Sequence, residues 1–174
     1  LLLWPWYFDE SEDTDAITRK LSLTLLLVAA CSGLALSGDL FNLYVFYELV
    51  AVASYGLVAA GNIRGTGASY TSAFRYLMIS AMGSVLALLG IGLIYFQAGS
   101  LNFAHLASMT PLLNTPVGLA AFVLILLGFG VKAELFPVNS WVPEVYMASS
   151  RRVAGLLAGE VTLFWMDRQD MQLR

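Results

Sequence analysis

Long apolar runs broken by short polar punctuation organise this chain. A helix that crosses a bilayer needs about 20 mostly apolar residues. Five runs approach that length: Leu21 to about Ser37, about Leu40 to Ala60, about Thr71 to Gln97, about Val117 to Phe136, and about Val153 to Met166, the last being short for a span. None of them alternates apolar with polar positions, as the strands of a transmembrane barrel do. The pattern predicts an all-α integral membrane protein of five transmembrane helices, with residues 21–166 as the membrane domain. Residues 1–20 read as the end of a preceding apolar segment plus an acidic loop, and residues 167–174 as a polar C-terminal tail.

The breaks between runs have local causes. Ser37-Gly38-Asp39 predicts a tight turn, with Asp39 capping the second helix. Gly61-Asn62 and Gly65-Thr66-Gly67 mark the next loop, and Pro111 and Pro116 bracket the start of the fourth helix. His105 is expected in an uncharged loop from Leu101 to Pro116. Pro137 lacks a backbone donor and should end the fourth helix just after Glu134, with a short helical piece restarting at Trp141-Val142-Pro143 and running to about Ala148. The fourth helix therefore reads as discontinuous near Lys132–Trp141. Such backbone survives at membrane depth where it is buried in protein or lines a wet cavity.

Composition narrows the class further. The 174 residues are 59% hydrophobic and 12% charged, with a mean hydropathy of +0.75. A soluble domain carries roughly 25% charged residues, so a water-soluble globular domain is excluded. The net charge of −3 gives no basic footprint for nucleic acid. One cysteine, Cys31, and one histidine, His105, leave no disulfide framework and no multi-histidine metal site within the chain. The acids Asp9, Glu10, Glu12, Asp13 and Asp15 read as a solvated loop, or as a docking surface for a basic partner. Five spans would place Arg19, Lys20, Arg64, Arg75, Arg151 and Arg152 on one side of the membrane and Arg168 and Arg174 on the other. The excess assigns the N-terminal segment and the second–third and fourth–fifth loops to the cytoplasmic side of the cell (inner) membrane.

Ionisable residues inside spans are the candidates for chemistry, because each costs about 2.5–3.5 kcal/mol at mid-bilayer on insertion scales. Glu48 lies near the middle of the second span, with Tyr44 and Tyr55 on the same helical face. It reads either as an ion-relay carboxylate or as a polar tie to a neighbouring helix. Lys132 follows Gly128-Phe129-Gly130 and precedes the proline break. It reads either as a relay partner of Glu48, with Glu134 the competing acid, or as a lysine reaching to the interface. Arg75, His105 and Glu160 are weaker relay candidates. Arg75 also fits an interfacial position, His105 an incidental loop residue, and Glu160 has no evident partner in its own helix. No nucleophile–base arrangement or phosphate loop is present in the sequence, so covalent chemistry is not expected of this chain.

The stretch Gly38-Asp39-Leu40-Phe41-Asn42-Leu43-Tyr44-Val45-Phe46-Tyr47-Glu48, followed by Ala53-Ser54-Tyr55, resembles the antiporter-like membrane subunits of Mrp-type cation/proton antiporters (the MrpD type especially), membrane-bound hydrogenases and respiratory complex I. Three further patches carry the same resemblance: Arg75-Tyr76-Leu77 with Ser80 and Gly83-Ser84; Gly99 to Leu106; and Gly128 to Ala133 with Phe136-Pro137 and Ser140 to Glu144. Together they span about residues 20–165, and the wording of the second helix leans toward the Mrp and hydrogenase branches.

The resemblance implies one half of an inverted repeat of five helices, with Glu48 as the family carboxylate and Lys132 as its paired lysine. It also implies lipid and the other membrane subunits of a heteromeric complex as partners. No cofactor is expected in this chain, and any iron–sulfur or quinone chemistry would belong to partner subunits. Departures are also visible. Leu163 stands where the family has a second lysine, Asn139 where it has a histidine, and Ser149-Ser150-Arg151-Arg152 where it has Ala-Pro, and only the first repeat is matched.

The function expected is that of a truncated antiporter-like subunit of a proton- or sodium-translocating complex, redox-driven or Mrp-type, supplying a Glu48–Lys132 relay pair. The alternatives are a degenerate structural or anchoring subunit of such a complex, and a small transporter completed by homodimerisation.

Overall fold

The computed structural model describes residues 14–60, 68–109, 111, 114–135, 139, 142–148, 153–155 and 157–158. Among them the fold is helical, with α1 (Thr14–Ala35), α2 (Leu40–Ala60), α3 (Ala68–Ala98), α4 (Phe103–Ser108), α5 (Pro116–Lys132) and α6 (Val142–Ala148). Three helices are long and apolar enough to cross a membrane by length and composition: Thr14–Ala35, Leu40–Ala60 and Tyr70–Ala98. α5 is a shorter apolar helix of 17 residues. Residues 153–155 and 157–158, at the start of the expected fifth span, are helical, and the rest of that span lies outside the described residues.

Two boundaries differ from the sequence expectation. The chain is already helical at Thr14, ahead of Leu21, because polar residues can extend a helix beyond its apolar run. His105 sits in α4 rather than in a loop. Asn102 caps that short helix by accepting from the backbone N–H groups of Ala104 and His105 at 3.0 and 3.3 Å. A six-residue helix is too short to announce itself by periodicity.

The other ends follow the local chemistry. Asp39 caps α2 by accepting from Asn42 N–H at 2.8 Å. Thr115 caps α5 ahead of Pro116 by accepting from Gly118 N–H at 3.1 Å, and it also accepts from Gln97 Nε2 at 2.7 Å. The α1–α2 turn is joined to the segment after α3 by main-chain bonds, Leu40 N–H to Leu101 O at 2.9 Å and Phe103 N–H to Gly38 O at 3.2 Å. They flank an isolated bridge between Asp39 and Asn102.

α3 packs against α5 over the largest surface, and α1 packs against α2. The α3–α5 contact is antiparallel and very close. A Cβ on Gly128 would lie 2.6 Å from both Ala87 N and Gly83 O, and one on Gly90 would lie 2.8 Å from Ala121 O. Only glycine lets two helix backbones meet this way. Around the contact, Leu40, Tyr47, Ala87, Ile91 and Phe129 form one buried cluster, and Val50, Leu57, Tyr76, Val131 and Val145 belong to a second. Large apolar side chains such as Leu25, Met82, Leu119 and Phe122 point outward. Their abundance is foreign to a water-exposed domain and suits a lipid or subunit surround.

Candidate functional site

α2 is apolar on every side, and its unbroken helix satisfies its own backbone. That leaves the half-buried Glu48 carboxylate to find a partner on another helix. The partner is the Ser84 hydroxyl of α3, which donates to Glu48 Oε1. Ser84 is within one residue of the midpoint of Ala68–Ala98, so the carboxylate sits about halfway along the longest span.

One residue earlier, Tyr47 turns to α5. Its hydroxyl donates to Gly128 O at 2.9 Å, and its ring meets Phe129 edge to face at 4.8 Å. Lys132, one turn beyond Gly128, comes back to the same tyrosine. Its Nζ donates to Tyr47 O at 3.4 Å and stands 5.1 Å from the ring centroid, within cation–π range. Lys132 is therefore held against the main chain of the residue that precedes Glu48, at the depth of the α3 midpoint.

α5 ends immediately after Lys132. Ala133 N–H bonds Phe129 O at 3.0 Å and Leu135 N–H bonds Gly130 O at 2.9 Å. The second bond spans five residues, as in a Schellman ending. Glu134 takes the left-handed position of that ending, with φ +55°, where glycine is the usual occupant. The sequence pattern puts Glu134 inside the helix; the left-handed turn places it just outside. Its carboxylate accepts from the Tyr146 hydroxyl of α6 at 2.9 Å. That bond ties the two pieces of the discontinuous helix across the break.

The remaining candidates make other contacts. Tyr44 is half-buried beside Phe41, with ring centroids 6.4 Å apart, and Tyr55 meets Tyr76 edge to face at 5.6 Å. Arg75 is exposed in the N-terminal third of Ala68–Ala98, and His105 is exposed on α4. Glu160, Pro137, Trp141 and Leu163 lie outside the described residues. Sequence reasoning does not single out Tyr47, Ser84 or Tyr146. The available signal is the four-residue spacing of Ser80 and Ser84, which puts both on one face of α3.

Residues 37–164 match the family described as NADH:quinone oxidoreductase/Mrp antiporter, TM. The chain belongs to this family. Among its relatives is the NADH-quinone oxidoreductase subunit N of Desulforudis audaxviator, 41% identical over 81% of this chain and 28% of the relative. A subunit of a probable K(+)/H(+) antiporter of Rhizobium meliloti is 40% identical over 79% of this chain and 25% of its own length. Among solved structures, a chain of the membrane-bound sulfane sulfur reductase, an archaeal respiratory membrane complex, superposes with a TM-score of 0.73 at 37% identity, covering 80% of this chain and 28% of that one. This chain thus spans about a quarter of the length of the curated relatives it matches. Family membership and the apolar helices make it an antiporter-like integral membrane chain.

Proposed function

We propose that this chain supplies the Glu48–Lys132 part of an antiporter-like subunit in a multisubunit membrane complex that moves protons or sodium ions. One observation carries the reading: Lys132 is held against the carbonyl of Tyr47, next to the mid-membrane Glu48, in a family of antiporter and NADH:quinone oxidoreductase subunits. A cation and a carboxylate inside one apolar helix bundle are expensive to keep unless they work. The pair relays charge when a proton or sodium ion shifts the balance between them. The driving energy comes from a redox partner or an ion gradient. Other membrane subunits surround the chain, and the end bearing Arg19, Lys20 and Arg75 faces the cytoplasm.

The test is Lys132→Ala and Glu48→Gln in the assembled complex. Coupled ion movement, followed by a fluorescent pH or sodium indicator in vesicles, is expected to be abolished while the subunits still co-purify. Unchanged coupling in an intact complex overturns the reading and favours a structural or anchoring role.

A further inference from the structure

Hydroxyls in this chain have a habitual partner. Thr18, Thr24, Ser32, Ser37 and Ser54 each donate to the carbonyl four residues back, at 2.6–2.9 Å. That bond is the default for Ser and Thr in an apolar helix, because it needs nothing from outside. Ser84 and Ser80 of α3 do not make it. Ser84, 6% exposed, donates to Glu48 instead. Ser80, one turn away on the same face and 1% exposed, has a buried Oγ with no hydrogen-bond partner among the described residues. Because α3 and α5 run antiparallel, with Gly83 against Gly128 and Val131, Ser80 lies near the depth of Lys132.

A buried hydroxyl with no partner is costly, although the helix offers a carbonyl four residues back. Polar groups of this kind commonly hold an ordered water. From this geometry we infer that Ser84 is a positioning residue for Glu48, and that Ser80 holds a water that continues the hydrogen-bonded path from Glu48 toward the level of Lys132. Ser84 suits the task because one hydroxyl serves both states of the carboxyl group. It donates to the ionised form and can donate to, or accept from, the protonated form. The Glu48 side chain therefore keeps its orientation as its charge changes. The inference rests on the proposed relay role of Glu48.

The experiment uses the full chain in its native membrane complex. Infrared difference spectra identify the carboxyl band of Glu48 as the one removed by Glu48→Gln. Ser84→Ala should move that band to higher wavenumber, because a donor to the carbonyl oxygen is lost. Ser84→Thr should restore it. Ion transfer should fall roughly ten- to hundredfold in Ser84→Ala, the worth of one hydrogen bond to a charged group, and recover in Ser84→Thr.

An unmoved band in Ser84→Ala overturns the positioning role, even where Glu48→Gln confirms the relay. Ion transfer that survives Glu48→Gln defeats the relay reading instead, which separates the two failures. If Ser84→Ala does not assemble, Ser84→Cys, a weaker donor of similar size, should place the band between the two positions. Ser80→Ala decides the water. A several-fold loss of ion transfer at unchanged Tm supports it; a raised Tm with normal transfer means the hydroxyl was merely an unpaired group, and overturns it.

Discussion

Glu48 and Glu134 are two carboxylates in one apolar chain, and the protein accommodates them in opposite ways. Glu48 sits in the regular helix α2, where the backbone asks for nothing and the side chain must borrow a donor, Ser84, from α3. Glu134 sits where α5 stops, in a left-handed backbone position that an L-residue adopts at a cost of roughly 1–2 kcal/mol. Its donor is Tyr146, on the piece of helix that follows the break. The first arrangement depends on how two long helices are aligned. The second depends on a local turn and on the helix that resumes beyond it. A charge in a continuous span is therefore sensitive to helix–helix movement, whereas a charge at a break is tied into the break itself. Lys132 stands between the two regimes, last in its helix yet bonded to α2.

The strongest way to break this contrast is Gly128→Leu. Its Cβ alone would lie 2.6 Å from backbone atoms of α3, which cannot move aside as a side chain can. The substitution should force α5 from α3 and lower stability by about 3 kcal/mol or more, read as a large drop in Tm of the purified protein. An unaltered Tm would mean that the two helices do not meet at this glycine.

A smaller effect sharpens the account of the break. In a Tyr146→Phe background, Glu134→Gly should stabilise by about 1 kcal/mol, because the left-handed position no longer carries a Cβ. In the unmodified protein the gain should be offset by the lost hydrogen bond to Tyr146. Equal effects of Glu134→Gly in both backgrounds would show that Tyr146 plays no part in holding Glu134.

Smallest is Tyr47→Phe, which removes the bond to Gly128 O but keeps both the ring beneath Lys132 and the carbonyl that Lys132 touches. It should cost about 1 kcal/mol of stability and leave ion transfer nearly intact. A transfer defect as deep as that of Lys132→Ala would assign the hydroxyl itself to the path.

Local chemistry is the part of this molecule that can be read along the chain. The start of α2 at Leu40 follows from Asp39. The helical piece at Val142–Ala148 follows from the Trp141-Val142-Pro143 restart. Hydropathy does not show that the chain is already helical from Thr14 to Lys20, because it reports where a helix meets lipid. Glu48 and Lys132 stand out because charge is rare in such runs. Their neighbours do not, because a helix that is apolar all round has no wet face to betray which side meets which partner. Nothing in the order of residues says that Tyr47 rather than Tyr44 faces α5, or that Ser84 gives up the usual back-bond for Glu48. Those facts depend on the rotation of α2 and α3 about their own axes.

The main-chain bonds from Leu40 to Leu101 and from Phe103 to Gly38 act as a rivet between two hairpins. Backbone hydrogen bonds stretch little, so any rocking of α2 against α3 pivots at that end and opens toward the other. Glu48 lies eight residues from Leu40, a lever arm of about 12 Å. A tilt of about 5° on that arm carries the carboxylate about 1 Å, enough to part a hydrogen bond. The rivet thus turns a small lean of one helix into the making or breaking of a single contact at mid-membrane.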